Sequence, residues 1–225
     1  MPCYNEQGTI LTLLKHVADS PWVREIIVVD DGSTDDSRQI LNGLGSTTVR
    51  VVLHDRNQGK GAALRTGFSH ATSEFVIVQD ADLEYDPNEY PVLIRPILDG
   101  QADVVYGSRF LGSPRGHRVL YYWHSVGNRL LTMLSNMFSD LNLTDMETCY
   151  KVMVRTVADR LDLQSRDFGI EPEITQKVAA MRARIYEVPI SYHGRTYEEG
   201  KKIGLKDAFK AVYTILRFWG WTPKQ

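Results

Sequence analysis

The sequence predicts an α/β fold in which a mainly parallel sheet is flanked by helices. Short apolar runs rich in β-branched residues, at 25–30, 49–53 and 75–82, have the composition of buried strands. Segments with apolar residues at helical spacing separate these runs as far as residue 106. Strands that alternate with helices form βαβ units, in which consecutive strands run parallel. The 225 residues, 43% of them hydrophobic, are enough for one well-buried domain.

Local signals place the remaining elements in chain order. Thr9 could cap a first helix that begins at Ile10, and Ser33 or Thr34 could cap a second helix. Pro91 fits the first turn of a later helix, where proline is tolerated. The other expected helices cover residues 62–68, 90–98, 119–138, 171–182 and 205–216, and the other expected strands cover 104–106, 146–154 and 184–190.

Composition argues against several classes of protein. The formal net charge of -2 leaves no basic surplus for a nucleic-acid backbone. Cys3 and Cys149 match neither a metal-site nor a disulfide spacing, which fits a reducing compartment. The sequence shows no signal-peptide pattern, and no apolar stretch approaches the roughly 20 residues that span a bilayer. We therefore expect a chain that neither binds nucleic acid nor crosses a membrane.

Acidic residues end two of the predicted strands. Asp30 and Asp31 follow one strand, and Asp80 and Asp82 follow another. Ligands of parallel α/β sheets bind beyond the carboxyl ends of the strands, so these acids should share one crevice with the loop at Gly107. Residues two apart in a strand point to the same side, and neighbouring carboxylates repel. Asp80 and Asp82 therefore predict a divalent cation, Mg²⁺ or Mn²⁺, although a lone pair of this kind could also be an acidic turn.

The segment Gly59-Lys-Gly61 opens a predicted helix and matches no standard phosphate loop. It lacks the spacing of a Walker A loop and the third glycine of the dinucleotide fingerprint. As a helix-opening turn it could still bring a lysine and backbone N–H groups to a phosphate. Alone, it is more often a flexible turn.

The second half of the chain differs in charge. Residues 104–139 contain no Asp or Glu but four arginines, Arg109, Arg115, Arg118 and Arg129. Residues 119–138 are also rich in Leu, Tyr, Trp and Met. Aromatic residues together with arginine favour a helix at a membrane surface. The alternative is a partly buried helix that packs on the sheet.

Several motifs occur in a fixed order with strand–helix units between them. They are Pro2-Cys-Tyr-Asn-Glu6, Asp30-Asp-Gly-Ser-Thr-Asp35, Asn57-Gln-Gly-Lys-Gly61, Asp80-Ala-Asp82, Gly107-Ser-Arg-Phe110, residues 143–151 and residues 194–202. In this order they resemble the family 2 glycosyltransferases of the GT-A fold, within them the dolichyl- or polyprenyl-phosphate mannose synthase-like group. The resemblance implies a Rossmann-like sheet and an inverting sugar transfer from a nucleoside-diphosphate donor.

The resemblance implies donor-binding roles at the first motifs. It assigns the nucleotide pocket to Pro2, Tyr4 and Glu6. It places Asp31 at the base, with Asp30 close behind it. We expect these residues to form the nucleotide end of the site.

The same resemblance implies the roles of the diphosphate residues. Lys60 would lie near the nucleotide, Asp80 would face the ribose and donor sugar, and Asp82 would hold the metal on the diphosphate. Arg195 and Lys201 match a basic motif that is expected to close over the diphosphate. Such a metal and such cations would stabilise the negative charge that develops on the diphosphate as it leaves.

The acceptor decides which other residues are catalytic. Asp145 matches the acidic position of the family's acceptor motif and would be the general base for a hydroxyl acceptor. A phosphate monoester has a second pKa of about 6 and is already an anion at neutral pH, so it needs orienting cations instead. Arg109, Arg118 and Arg129 offer such cations.

Two further acids of the predicted helix at 171–182 have two interpretations. The resemblance suggests Glu171 and Glu173 as acceptor contacts. They could equally be first-turn acids that are stabilised by the helix dipole.

One feature departs from the family pattern. Family members begin with a strand before the first motif, and here only Met1 precedes Pro2. We therefore expect the first strand to be missing or truncated, which would expose a sheet edge and lower the stability of the chain.

The leading hypothesis is a metal-dependent glycosyltransferase that moves a hexose from a GDP- or UDP-sugar to a polyprenyl phosphate. It predicts one domain, with residues 1–108 binding the nucleotide sugar and residues 109–225 binding the acceptor. The expected location is the cytoplasmic face of a membrane, with peripheral attachment. Alternatives are transfer to a sugar hydroxyl, a non-catalytic nucleotide-sugar-binding module and, less consistent with the motifs, a nucleotidyltransferase.

Overall fold

A three-stranded parallel sheet forms the first part of the fold. The computed structural model describes residues 1–112, 119, 121–194 and 205–223. The strands are β1 (Pro2–Cys3), β2 (Ile26–Asp30) and β3 (Val49–Leu53), which lie in the order β1-β2-β3. Helices α1 (Ile10–Ala18) and α2 (Ser37–Asn42) connect them, as expected for βαβ units.

A four-stranded mixed sheet forms the second part. Its strands are β4 (Phe75–Ile77), β5 (Val104–Ser108), β6 (Lys151–Val154) and β7 (Ile185–Pro189), in the order β4-β6-β5-β7. Strand β6 is antiparallel to both of its neighbours, whereas β5 and β7 are parallel. The expected α/β fold with a mainly parallel sheet is therefore confirmed.

Helices cover the sheets and share one hydrophobic core with them. The remaining helices are α3 (Lys60–His70), α4 (Tyr90–Leu98), α5 (Tyr122–Ser139), α6 (Arg155–Ala158), α7 (Ile170–Ala180) and α8 (Leu205–Phe218). Apolar residues from α1, β2, α4, β5 and α7 belong to a single buried cluster. Helix α7 packs against both α5 and α8. Within the described residues, no helix is long and apolar enough to span a bilayer.

The first strand, expected to be missing or truncated, is present but short. Strand β1 is only two residues long, but it pairs in parallel with β2 at Val29 and Asp30. The amino group of Met1 also donates a 2.9 Å hydrogen bond to the carbonyl of Ile27. The first strand is therefore short rather than missing, and it lies within the first motif rather than before it.

Strands β4 and β6 are shorter than predicted. Strand β4 ends at Ile77, which pairs with Val152 near the start of the antiparallel strand β6. Strand β6 begins at Lys151, so it offers residues 79–82 no pairing partner. Asp80 and Asp82 thus lie on a loop beyond the strand, and strand alternation is not what aligns their side chains.

The residues predicted to cap the first two helices make no capping hydrogen bonds, although Thr9 does occupy the N-cap position of α1. Thr9 precedes α1, but its hydroxyl donates to Glu6 and to the carbonyl of Ala81 rather than capping the helix. Helix α2 begins at Ser37, three residues beyond Thr34. The hydroxyls of Ser33 and Thr34 do not cap it, because they accept hydrogen bonds from Asn5. Contacts between loops compete successfully with local capping here.

Candidate active site

The first two motifs lie side by side at the strand ends. Asn5 has a φ of 54°. Its backbone N–H donates to Ser33 Oγ at 3.0 Å, and its Oδ1 accepts from the Thr34 N–H at 2.8 Å. Glu6 N–H donates to Ser37 Oγ at 2.8 Å. The structure thus brings together the motif at 2–6 and the motif at 30–35, and partly buries Pro2, Tyr4 and Glu6.

The two acids of Asp30-Asp31 bind protein groups. Asp30 is fully buried and accepts from Arg38 Nε at 2.9 Å. Asp31 accepts from His54 Nδ1 at 2.7 Å and from the N–H groups of Gln58 at 2.9 Å and Gly59 at 2.7 Å. Asp31 therefore fixes the loop that leads into α3, in addition to the base contact that the resemblance predicts.

The turn at Gly59-Lys-Gly61 is shaped by a close backbone approach. Gly59 has a φ of +97°, and a Cβ atom there would lie 2.2 Å from the carbonyl oxygen of Arg166. The Ala62 N–H donates to that same oxygen at 3.2 Å. Since the N–H of Gly59 is held by Asp31, two amides at the start of α3 already have partners. The N–H groups of Gly59 and Ala62 are therefore not available to a phosphate, and a phosphate contact by the turn stays a prediction for Lys60 and Gly61.

Lys60 connects the acidic loop to α7. Its Nζ lies 2.9 Å from Asp80 Oδ2 and 3.1 Å from Glu171 Oε1, the latter an ion-pair contact without hydrogen-bond geometry. Glu171 Oε2 in turn accepts from Lys151 Nζ at 2.6 Å. Burial lowers the pKa of Lys60, but the negative charges of Asp80 and Glu171 outweigh it and raise this pKa well above the usual value. Lys60 therefore remains a cation at the site.

Asp82 lies two residues beyond Asp80 on the same loop. Its Oδ1 accepts from the Glu84 N–H at 3.1 Å, and the side chain is partly buried. The described residues contain no cluster of three or more His, Cys, Asp or Glu side chains that could hold a metal ion. A cation here would therefore take Asp80 and Asp82 from the protein and its other ligands from substrate and water.

Asp145 is held in a buried ion pair. It is 0% exposed, and it accepts from Arg109 Nε at 2.6 Å, Arg109 Nη2 at 2.7 Å and Asn128 Nδ2 at 3.0 Å. Burial alone would raise the pKa of Asp145, but the Arg109 guanidinium and the Asn128 amide lower it below its usual value. A carboxylate with these partners accepts a proton poorly. The structure therefore argues against Asp145 as a general base and against Arg109 as a free phosphate ligand.

Glu173 also has a structural role. It is 0% exposed, forms a 2.6 Å ion pair with Lys177, and accepts from the N–H groups of Gln164 at 2.7 Å and Ser165 at 2.6 Å. These contacts favour the second interpretation of Glu173, a first-turn acid that serves the fold, over an acceptor contact. Glu171, in contrast, points to Lys60 at the crevice.

Of the two predicted acceptor arginines that lie in the described part of the chain, Arg109 is buried and Arg129 is exposed. The Arg129 guanidinium lies 5.6 Å from the centre of the Phe110 ring, and Arg109 lies 6.0 Å from the same ring. A groove of about 570 Å³ runs beside it and is lined by Phe110, Arg129, Met133, Met137 and Leu143, among others. The predicted residues Arg118, Arg195 and Lys201 lie outside the described residues.

Sequence reasoning missed three residues of this neighbourhood. His54 orients Asp31 and also bonds Thr66 at 3.0 Å. Lys151 neutralises Glu171. Glu147 carries a buried oxygen atom without a hydrogen-bond partner. The position of His54 directly after β3 could have been noticed, whereas the other two depend on long-range contacts.

Solved structures show the same fold. The fold matches that of glucosyl-3-phosphoglycerate synthase from Mycobacterium tuberculosis in complex with UDP, with a TM-score of 0.75 and 20% identity over 100% of this chain and 79% of that one. The same enzyme with Mn²⁺, UDP and glucosyl-3-phosphoglycerate gives a TM-score of 0.74. The chain therefore has the GT-A fold of glycosyltransferases.

The family follows from the sequence. The model of the family "Glycosyl transferase family 2" matches residues 1–162, and the chain belongs to that family. It is 31% identical over 234 residues to the undecaprenyl-phosphate 4-deoxy-4-formamido-L-arabinose transferase of Edwardsiella ictaluri, covering 99% of this chain and 67% of that protein. It is 29% identical to the low-salt glycan biosynthesis hexosyltransferase Agl6 of Haloferax volcanii, covering 88% of this chain. The chain spans 48% of the length of Agl6.

Proposed function

We propose that this glycosyltransferase moves a hexose, with inversion, from a nucleoside-diphosphate sugar to a polyprenyl phosphate. The observation that carries the proposal is the Asp80–Lys60–Glu171 contact, which joins the acidic loop to α7 at the strand ends. Ligands of this class of sheet bind there. The similarity to an undecaprenyl-phosphate sugar transferase supports the choice of acceptor.

A divalent cation fits the acidic loop. The carboxylates of Asp80 and Asp82 are partly buried hard-oxygen donors, which suit Mg²⁺ or Mn²⁺ shared with a diphosphate. When bound, such an ion would neutralise charge on the leaving diphosphate. Lys60 supplies a permanent positive charge beside Asp80 for the same purpose.

A phosphate acceptor agrees with the state of Asp145. Transfer to a hydroxyl needs a general base, and the carboxylate proposed for that role is buried against Arg109. A phosphate monoester needs no base at neutral pH. Arg129, exposed at the mouth of the groove beside Phe110, would orient such a phosphate. Transfer to a sugar hydroxyl is the second candidate.

The acceptor would reach the protein at a membrane surface. Helix α5 exposes Trp123, Leu130, Met133 and Met137 along one stripe, and α8 exposes Phe209, Tyr213 and Leu216 along another. The two helices pack together, and Phe138 contacts Trp219 at a centroid distance of 5.4 Å. Exposed aromatic and aliphatic residues on amphipathic helices suit the interfacial region of a bilayer. The proposal places this surface on the cytoplasmic face, which the unpaired Cys3 and Cys149 fit.

A donor screen tests the proposed function. The chain is incubated with undecaprenyl phosphate in detergent, Mg²⁺ or Mn²⁺, and each of a set of UDP- and GDP-sugars, and the lipid is analysed by mass spectrometry. We expect a hexosyl-phosphoprenol product with one donor and release of nucleoside diphosphate. Release of pyrophosphate would indicate a nucleotidyltransferase, and donor binding without any product would indicate a binding module.

The membrane surface predicts a loss of vesicle binding on substitution. In the double variant Trp123→Ser/Phe209→Ser, affinity for vesicles that contain anionic lipid should fall by about 10-fold or more, because each buried aromatic side chain contributes about 1.5–3 kcal/mol. Cosedimentation measures this affinity. Trp22→Ser, at an exposed tryptophan outside these helices, is the matched control. Equal binding by all three proteins would rule out this surface.

A further inference from the structure

Buried oxygen atoms without partners are concentrated around one segment of the chain. Among the described residues, the side-chain atoms without a hydrogen-bond partner are Glu147 Oε1, Thr148 Oγ1, Asn128 Oδ1 and Glu171 Oε1, and the last of these has the ion-pair contact with Lys60 Nζ instead. Asn128 bonds Asp145, and Glu171 bonds Lys151, so all four belong to residues 145–151 or to their direct partners. Buried polar atoms are almost always paired, so a group of exceptions marks a place where water or a polar ligand can bind.

The backbone around Glu147 is fixed on both sides. Lys151 Nζ donates to the carbonyl of Met146 at 3.1 Å and also to the carbonyl of Thr148. The Met146 N–H donates to Thr132 Oγ1 at 3.1 Å, and the Cys149 N–H donates to Tyr85 Oη at 3.1 Å. The main chain is therefore held in place while the Glu147 carboxyl oxygen has no partner. This is how a binding group is preorganised.

Charged groups from several elements surround this carboxyl. Burial, followed by the negative charge of Glu171, raises the pKa of Glu147 to about 7, against the positive charges of Lys151 and Arg109. Asp145 adds a further repulsion. Glu147 is thus close enough to feel the charges of both the Lys151–Glu171 pair and the Arg109–Asp145 pair.

We propose that Glu147 hydrogen-bonds a hydroxyl group of the transferred sugar and thereby selects the donor. The inference rests on the proposed function and adds a specificity residue to it. The ionised Glu147 carboxylate and the Asn128 amide oxygen both accept hydrogen bonds, so a ligand that donates fits them. A sugar supplies several O–H donors, whereas a phosphate dianion supplies none. A site that is built to bind a hydroxyl rejects a substrate that lacks it.

Isothermal titration calorimetry with deoxy donors tests this inference. The probes are UDP-glucose and GDP-mannose and their analogues that lack one hydroxyl each, with Mn²⁺ present. For the wild-type chain, one deoxy analogue should bind at least about 10-fold more weakly than its parent. In Glu147→Ala, the parent should bind as weakly as that analogue, so the penalty for the missing hydroxyl disappears. Glu74→Gln, at an exposed glutamate, is the control.

Stability provides an independent readout. Without ligand, Glu147→Gln should have a Tm equal to or above that of the wild-type chain, because it removes the charge of a partly buried carboxylate whose Oε1 has no hydrogen-bond partner. A folded-state pKa of about 7, above the ordinary 4.5, means that the wild-type chain loses stability relative to this variant as pH rises from 4.5 to 7. A lower Tm for Glu147→Gln would mean that the residue serves the fold, and the inference would be wrong.

The outcomes separate the inference from the proposed function. An unchanged deoxy penalty in Glu147→Ala overturns the inference alone, as does unchanged donor affinity with a large loss of kcat, which would make Glu147 a general base. Failure of the wild-type chain to bind either nucleotide sugar overturns the proposed function together with the inference.

Discussion

Replacing Asp82 with Asn is expected to reduce sugar transfer by about 10³-fold or more. The substitution keeps the size of the side chain but removes the charge that would bind the cation on the diphosphate. The fold should survive, because Asp82 is only partly buried and its Oδ1 bond to the Glu84 N–H is available to an amide oxygen as well. Initial rates of nucleoside-diphosphate release, with Mg²⁺ or Mn²⁺ and the donor found in the screen, measure the effect.

Two controls make this result specific to the metal. Asp19→Asn, at an exposed aspartate that follows α1, should transfer at the wild-type rate. Donor affinity measured with and without Mn²⁺ should show a metal-dependent gain for the wild-type chain and little gain for Asp82→Asn. Wild-type transfer that persists in excess chelator would contradict the role of the acidic loop.

Replacing Asp145 with Asn is expected to lower the free energy of unfolding by about 3–5 kcal/mol. The change leaves the Arg109 guanidinium buried, 9% exposed, without its counter-charge. Urea unfolding at pH 7, followed by circular dichroism, measures the loss. Asp103→Asn breaks a similar bidentate pair with Arg184, whose side chain is 57% exposed, and should cost no more than about 1 kcal/mol.

The pH dependence of stability distinguishes a structural Asp145 from a catalytic one. Its folded-state pKa is below the ordinary value of 3.8, so the stabilisation is complete above that value and is lost as pH falls through the folded-state pKa. Asp145→Asn should lack this loss in acid. An Asp145→Asn variant of wild-type stability whose kcat is abolished would support the general base instead, and hence a hydroxyl acceptor.

The sequence predicted those elements well whose position depends on the pattern of neighbouring residues. Apolar periodicity placed α1, α4 and the strands β2, β3 and β5 close to their observed bounds, since burial of one face or of a whole strand leaves a direct pattern. It could not show that β6 lies antiparallel between β4 and β5, because that pairing joins residues more than 40 positions apart. For the same reason it overestimated β4, whose length is limited by its partner.

The sequence by itself determined the class of fold, the family and the positions of the motifs at the strand ends, because these follow from local composition and order. Only the tertiary structure decided what each acid does. Asp145 and Glu147 stand two residues apart in one motif, yet Arg109 and Asn128 hold the first as an anion while burial beside Glu171 favours the neutral form of the second. The charge state of a carboxyl depends on its burial and on partners from distant elements of the fold. The spacing of residues along the chain shows neither of these.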